Sequence, residues 1–290
     1  MFVAKTIQEI RRVLAPARKE ERGIGLVPTM GALHSGHLSL VNCCMSENDI
    51  TVVSVFVNPT QFNDPADLKK YPRDTARDME LLSAAGCDVM FMPGVKTIYP
   101  RPDRRTFDFG NLDNIMEGKF RPGHFSGVAQ VVSRLFSIIR PHRAYFGEKD
   151  IQQLAVVRRM TSMLGLPVEI RPCKTVREDH GLAMSSRNEL LTPEQRENAG
   201  LIYSTLREAS EMTGKEPGEL KIFVTEKINS NPMLEVEYFE IVRSSDLRPV
   251  ESRAGLDDDL IGCIAVRTGS VRLIDNVFFP NFDRYDDRDP

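Results

Sequence analysis

The sequence has no CxxC pair, no internal repeat, no low-complexity tract and no excess of basic residues, and each absence excludes a class of protein. The five cysteines, Cys43, Cys44, Cys87, Cys173 and Cys263, are odd in number and two are adjacent. They read as reduced thiols filling apolar sites in a cytoplasmic protein, not as a disulfide frame. No apolar run approaches the ~20 residues of a membrane-spanning helix. The net charge is −3 and the pI near 6.0, which argues against a general nucleic-acid binder while leaving room for a local basic pocket. Residues 1–10 carry a helical period followed by acidic residues, unlike a secretion signal. What remains is an ordinary soluble composition, 41% hydrophobic and 27% charged over 290 residues, enough for one large domain or two.

One stretch stands out, Val27-Pro28-Thr29-Met30-Gly31-Ala32-Leu33-His34-Ser35-Gly36-His37. It starts as the end of an apolar strand, passes through glycines and small residues, and enters a helical pattern of Leu38, Val41 and Met45, with Leu40 and Cys44 beside it. A strand that turns into a helix N-terminus leaves unpaired backbone N–H groups, and these favour an anion such as a phosphate. His34 and His37 lie three apart, so both can face one ligand. Gly36 leaves room for a flat group against the backbone. The histidine pair also fits a metal site or a capping pair, although no third ligand stands at zinc spacing. The HxGH pattern after a first strand resembles the "HIGH" element of the nucleotidyl-transferring α/β superfamily, which includes class I aminoacyl-tRNA synthetases. There the histidines touch ATP phosphates during adenylate formation.

Elsewhere the pattern is β/α alternation. Thr6 caps a first helix ending near Ala15-Pro16. Strands are expected at 24–27, 50–57, 88–92, 144–146 and 168–170. The 50–57 run is β-branched and apolar almost throughout, as in a strand buried on both faces. Asp74 caps a helix with Met79, Leu82 and Ala85 on one face, stopped by Gly86. Residues 95–125 read as a long loop with short elements. Ser126 starts a strong helix, and Asp150 with Gln153 has capping-box spacing at the start of another. After Lys174 the texture changes: helices from Thr192-Pro193, then strand-like runs at 235–242, 260–266 and 270–274. The expected fold is a Rossmann-like, doubly wound parallel sheet over residues 1–175, with a smaller α+β domain carrying a short antiparallel sheet over 176–290. The charged end, 283–290, is expected to fray.

Four further segments carry polar chemistry. Asn58 to Gln61 offers amides at the carboxyl end of a parallel strand, although Asn58-Pro59 also makes an ordinary turn. In the 117–125 stretch, Arg121 supplies a planar fork and His124 a donor, unless this is only a solvated basic loop. Residues 146–153 repeat the strand–glycine–helix logic, with Lys149 placed for a phosphate and Asp150 for a ribose hydroxyl, or else form a capped helix with an exposed Lys. Met184-Ser185-Ser186-Arg187-Asn188 combines two hydroxyls with a cation, or is a polar turn. An HxGH turn followed far downstream by a hydroxyl-plus-cation loop is the two-part layout of adenylate-forming members of the superfamily, and residues 184–188 resemble their "KMSKS" loop.

Taken together, the chain resembles the pantothenate synthetase (pantoate–β-alanine ligase) family from its first helix to Asn276. The matching blocks are PTMGALHxGH at 28–37, FVNPxQF at 56–62, YPRD at 71–74, EGxxRPGHFxGV at 117–128, FGEKDxQQL at 146–154 and GLAMSSRN at 181–188. The departures are His180, where the family usually has an acidic residue, together with Gln130, His142 and the residues after Asn276.

The resemblance implies ATP-dependent condensation of (R)-pantoate with β-alanine through a pantoyl-adenylate, giving pantothenate, AMP and pyrophosphate. By the same resemblance His34 and His37 contact the ATP phosphates, with His37 as proton donor, and Met30, Gly31, Ala32, Leu33, Ser35 and Gly36 line the nucleotide. Lys149, Ser185, Ser186 and Arg187 neutralise charge as pyrophosphate leaves, with Met184 on the same loop. Gly147, Glu148, Asp150 and Val176 line the nucleoside. Gln61 and Gln153 bind pantoate, Gln61 also meets β-alanine, and Asn58, Tyr71, Arg121 and His124 are further candidates in the substrate and phosphate region. Mg²⁺ bridges phosphate oxygens with few protein ligands, and no dedicated protein metal site is expected. A homodimer, with the smaller domain as a lid, completes the implied picture. The main alternative is a nucleotidyltransferase of the same fold acting on another small acceptor. A tRNA synthetase fragment lacks the expected basic face, and a non-enzymatic scaffold would be expected to have lost a histidine or the hydroxyl loop.

Overall fold

The computed structural model describes residues 1–279 apart from Thr213 and Gly255, so the charged end at 283–290 lies outside the described residues. The chain divides into two compact units, residues 1–176 and the remainder from Arg177.

The first unit is built on a six-stranded, all-parallel sheet. Its strands are β1 (Phe2–Ala4), β2 (Ile24–Thr29), β3 (Ile50–Val55), β4 (Val89–Phe91), β5 (Arg143–Gly147) and β6 (Glu169–Cys173), in the spatial order β1-β4-β3-β2-β5-β6. Alternate residues feed opposite faces. Leu26 and Val52 join one buried cluster with Ile10, Leu14, Leu135 and Leu154, whereas Val27 and Val53 join another with Val41 and Leu82. Helices Ile7–Lys19, His124–Ile139 and Ile151–Met163 therefore cover one face, and Ser35–Glu47 and Thr75–Ala84 the other. Two such layers are the doubly wound arrangement, and its crossover reverses between β2 and β5. The loops after β2, β3 and β5 thus open at the edge where ligands of open α/β sheets bind.

Several local expectations change. Residues 2–4 form edge strand β1, paired with β4, where the sequence carries a helical period. The first helix runs through Pro16 to Lys19; Arg12 and Pro16 are both exposed, so water can satisfy the carbonyl that the missing N–H leaves. The buried stripe of helix Ser35–Glu47 is Leu40, Val41 and Cys44, with Met45 exposed. In helix Thr75–Ala84, Met79 is exposed and Asp78 shares the buried face with Leu82. The long segment 95–125 contains helices Val95–Ile98 and Met116–Phe120 and a 3₁₀ turn, Gly110–Asp113. Asp150 makes no side-chain cap bond, because a 3₁₀ turn, Glu148–Asp150, precedes the helix there. Two departures from the family pattern have structural roles. His142 Nδ1 accepts from Ile24 N at 2.9 Å beside the β2–β5 pairing, and Gln130 Nε2 donates to Arg105 O at 2.9 Å.

The second unit is a three-stranded antiparallel sheet, β7 (Glu235–Arg243), β8 (Leu260–Thr268) and β9 (Val271–Phe279), in that order. Helices Gly200–Glu211 and Pro217–Asn229 pack on it through Ile202, Leu206, Leu220, Val224, Ile241 and Ile264. No disulfide joins the five cysteines, four of which are buried, and among the described residues no helix is long and apolar enough to cross a membrane.

Candidate active site

The turn after β2 is held from below. Thr29 Oγ1 donates to Ser54 O at 2.8 Å and accepts from Gly31 N at 3.2 Å. Gly31 has φ +83° and Ala32 φ +49°, a left-handed pair that suits glycine at the first position and strains alanine at the second. The buried carboxylate of Asp78 then accepts from Ala32 N at 3.1 Å and from Leu33 N at 2.7 Å. Burial pushes the Asp78 pKa up, and these two N–H bonds oppose that shift. The N–H groups of Gly31, Ala32 and Leu33, ahead of the helix, are thus committed within the protein. Thr29 and Asp78 occupy them. The donors left to an anion are those of Ser35, Gly36 and His37, in the first turn of the helix.

His34 is the extended residue before that helix and gives no side-chain cap bond. Its ring lies 4.0 Å from that of His37, tilted by 38°. His37 Nδ1 is buried with no hydrogen-bond partner among the described residues. Burial holds the His37 pKa well below its ordinary 6.5, with His34 and the Lys149 ammonium adding to the depression. The resting imidazole is neutral. Lys149 enters from the turn after β5 and lies 3.7 Å from the Asp150 carboxylate, while the Gly147 side of that turn is open space.

A second group of polar side chains follows β3. Asn58 is buried; its Nδ2 donates to Gln61 Oε1 and to Gly127 O, both at 3.1 Å, and its Oδ1 accepts from Tyr99 Oη at 2.9 Å. Gln61 Nε2 reaches Met30 Sδ at 3.1 Å, joining this group to the β2 turn. Helix His124–Ile139 approaches so closely that a Cβ on Gly127 would stand 2.4 Å from Thr60 O. His124 Nδ1 lies 2.8 Å from Gln61 O, and since a carbonyl only accepts, the proton is on Nδ1. Nε2 then accepts from Arg121 at 3.2 Å, and Arg121 also pairs with Glu117 at 3.3 Å. Tyr71 is buried edge-on to Phe62. Gln153 is half-buried, and its side chain makes no hydrogen bond to the described residues, while the side chain of its neighbour Gln152 is fully committed to Glu117 N, Leu112 O and Ile115 O.

The neutral tautomer of His124 satisfies both ring nitrogens, and protonation would break the Arg121 bond. Burial, reinforced by Arg121, depresses its pKa to about 4. The unfolded value is near 6.5, so the folded form is favoured fully above pH 6.5 and loses that advantage as pH falls toward 4. Between pH 7.5 and 4.5 this group alone is expected to cost about 2.5 kcal/mol, with His37 acting in the same direction. Urea unfolding across that range should show the fall, and His124→Gln should flatten it. Equal slopes in both proteins would contradict the assignment.

In the second unit, Ser185 Oγ accepts from Arg187 N at 3.2 Å and starts a 3₁₀ turn, Ser186–Leu190, with Ser186 buried. His180 Nε2 sits 2.9 Å from Arg196 O, so this departure from the family pattern serves as a local tie. Val176, half-buried, lies three residues beyond β6.

The structure thus gathers the HxGH turn, Asn58, Gln61, Tyr71, Arg121, His124 and the 147–153 turn along one edge of the first sheet. The residues that sequence reasoning missed are Asp78, Thr29, Tyr99 and Gln152, which hold the groups above in place. Asp78 had a signal, a carboxylate four residues before Leu82 on a face that should be apolar. The others had none.

With this geometry in hand, comparison with known proteins is decisive. The sequence model of the family described as pantoate-beta-alanine ligase matches residues 2–278. The chain belongs to this family. It is 50% identical over 278 residues to the pantothenate synthetase of Porphyromonas gingivalis, covering 96% of this chain and 99% of that one. The crystal structure of pantothenate synthetase from Thermus thermophilus superposes with a TM-score of 0.88 at 44% identity, covering 96% of this chain and 99% of that chain. A Francisella tularensis pantoate-beta-alanine ligase, described as a complex with beta-gamma ATP and beta-alanine, gives a TM-score of 0.78 at 37% identity over 96% of this chain and 97% of that chain. The parallel sheet and the antiparallel C-terminal sheet are those of this ligase family.

Proposed function

We propose that this chain condenses pantoate with β-alanine at the expense of ATP, with the residues of the β2, β3 and β5 loops in defined roles. The observation that carries the residue assignment is the close His34–His37 ring pair beside an amide group, Asn58–Gln61, on one sheet edge. A carboxylate does not accept an amine directly. The pantoate carboxylate instead attacks the α-phosphorus of ATP, and the P–O bond to pyrophosphate breaks. The β-alanine amine then attacks the acyl carbon, AMP leaves, and the amine loses a proton.

The helix N–H groups of Ser35 to His37 and the neutral His37 ring receive the phosphates, and the arriving negative charge raises the His37 pKa toward the range where it can hold a proton. Lys149, Ser185, Ser186 and Arg187 offset the charge that develops on pyrophosphate. The Gln153 side chain, with no hydrogen-bond partner among the described residues, and Gln61 grip pantoate, and the Arg121–His124 pair fixes the Gln61 backbone. Among the described residues no three His, Cys, Asp or Glu side chains cluster to hold a metal. Phosphate oxygens would therefore supply most of an Mg²⁺ shell, with the ion shielding phosphate charge. We also infer a cytoplasmic homodimer, which light scattering after gel filtration would report at about 65 kDa, twice the 32.7 kDa chain.

Pantoate-dependent exchange of pyrophosphate into ATP tests the reading, because it requires adenylation and no β-alanine. Gln153→Ala is expected to raise the pantoate requirement about tenfold or more while changing that for ATP less than twofold, as loss of a substrate hydrogen bond does. Equal losses for both would place Gln153 elsewhere.

A further inference from the structure

One tie that holds the Met184–Asn188 segment within the second unit runs through the Glu178 carboxylate. Asn188 is buried, and its Nδ2 donates to Glu178 Oε1 at 2.9 Å and to Ala183 O at 3.1 Å. Its Oδ1 is buried with no partner among the described residues, so the amide is oriented by these two bonds alone. A flipped amide would aim Oδ1 at the Glu178 carboxylate, and repulsion excludes it. The same carboxylate takes a two-pronged bond from Arg196 on helix Pro193–Asn198, at 2.7 and 2.9 Å. The strand-like stretch bearing Glu178 is itself fixed: Arg177 pairs doubly with Asp275 at 2.6 and 2.9 Å and lies 3.5 Å over the Tyr203 ring. An Arg177–Ala183 bridge then brings the chain back to the start of the loop.

We propose that Glu178 is a positioning residue for adenylation, locking Asn188 so that Ser185, Ser186 and Arg187 are presented in one conformation to the departing pyrophosphate. This rests on the reading that those three residues meet the ATP phosphates. Glu178 touches no substrate. Its effect is confined to the half-reaction in which pyrophosphate leaves. Fixing a loop before the reaction removes an ordering step from the barrier, and a displacement of about 1 Å at such a site can cost ~100-fold in rate.

The test separates the two half-reactions. Glu178→Ala is expected to lower the rate of pantoate-dependent pyrophosphate exchange at least ~30-fold, with the KM for pantoate within twofold of wild type. Its reaction of supplied pantoyl-adenylate with β-alanine should keep the wild-type rate. Glu178→Gln, which retains an acceptor for Asn188, should lose less. Asn188→Ala should lose exchange in the same half-reaction, and the double variant should fall short of the two losses combined, since both break the Glu178–Asn188 bond. Exchange unchanged in Glu178→Ala overturns the proposal, as does an equal loss in both half-reactions, which marks a merely structural residue. A wild-type protein without exchange removes the functional reading and this one with it. A wild type that exchanges beside a fully active Glu178→Ala removes only this one.

Discussion

Replacing His37 with alanine should abolish pantoate-dependent pyrophosphate exchange, by about 100- to 1,000-fold, while leaving the fold intact. The size follows from the position of the ring. His37 stands in the first turn of a helix whose free N–H groups face the same place, 4.0 Å from His34. A preorganised donor removed from such a site costs two to three orders of magnitude. Stability should hardly change, because the half-buried imidazole is kept neutral and its Nδ1 has no protein partner among the described residues. A melting temperature within a few degrees of wild type is expected. An active variant would remove His37 from catalysis, and an inactive but unfolded one would reassign it to the core.

Asp78→Ala should damage both stability and rate. Two buried N–H groups, of Ala32 and Leu33, lose their acceptor, each at roughly 1–3 kcal/mol. For a chain of this size the melting point should fall on the order of 10 °C. The Asp78 carboxylate is itself disfavoured by burial, so the net loss sits toward the lower end of that range. The kinetic loss should be larger, about 100-fold in exchange measured well below the melting point. Gly31 and Ala32 are left-handed, and without the carboxylate the turn loses two of the bonds that keep that conformation and hold His34 and His37 together. Asp78→Asn retains one acceptor and should fall between the two. Wild-type exchange by a folded Asp78→Ala would show that the turn holds its shape unaided.

These two residues mark the limits of what the sequence makes legible. The β-branched run at 50–55 and the alternation of strands with helices specify the parallel sheet, because a strand buried on both faces needs that composition. The HxGH turn, the Asn58–Gln61 amides and the Arg121–His124 pair are legible as motifs. Their partners are not. Asp78 lies 46 residues from Ala32, and Tyr99 41 residues from Asn58, so neither contact has a local signature. Strand β1 is hidden because three residues are too few to show a period of two, and its pairing with β4 comes only from the folded sheet. The ties beneath the turn are hidden for a related reason. Counting unpaired N–H groups from a helix start cannot reveal a carboxylate supplied by another helix.

The most direct test of the central claim is to incubate the purified chain with ATP, Mg²⁺, pantoate and β-alanine and to quantify every product. Pantothenate, AMP and pyrophosphate are expected in equal amounts, with no ADP and no AMP when pantoate is withheld. Formation of ADP, or of AMP independent of pantoate, would contradict an adenylate built at the His34–His37 turn.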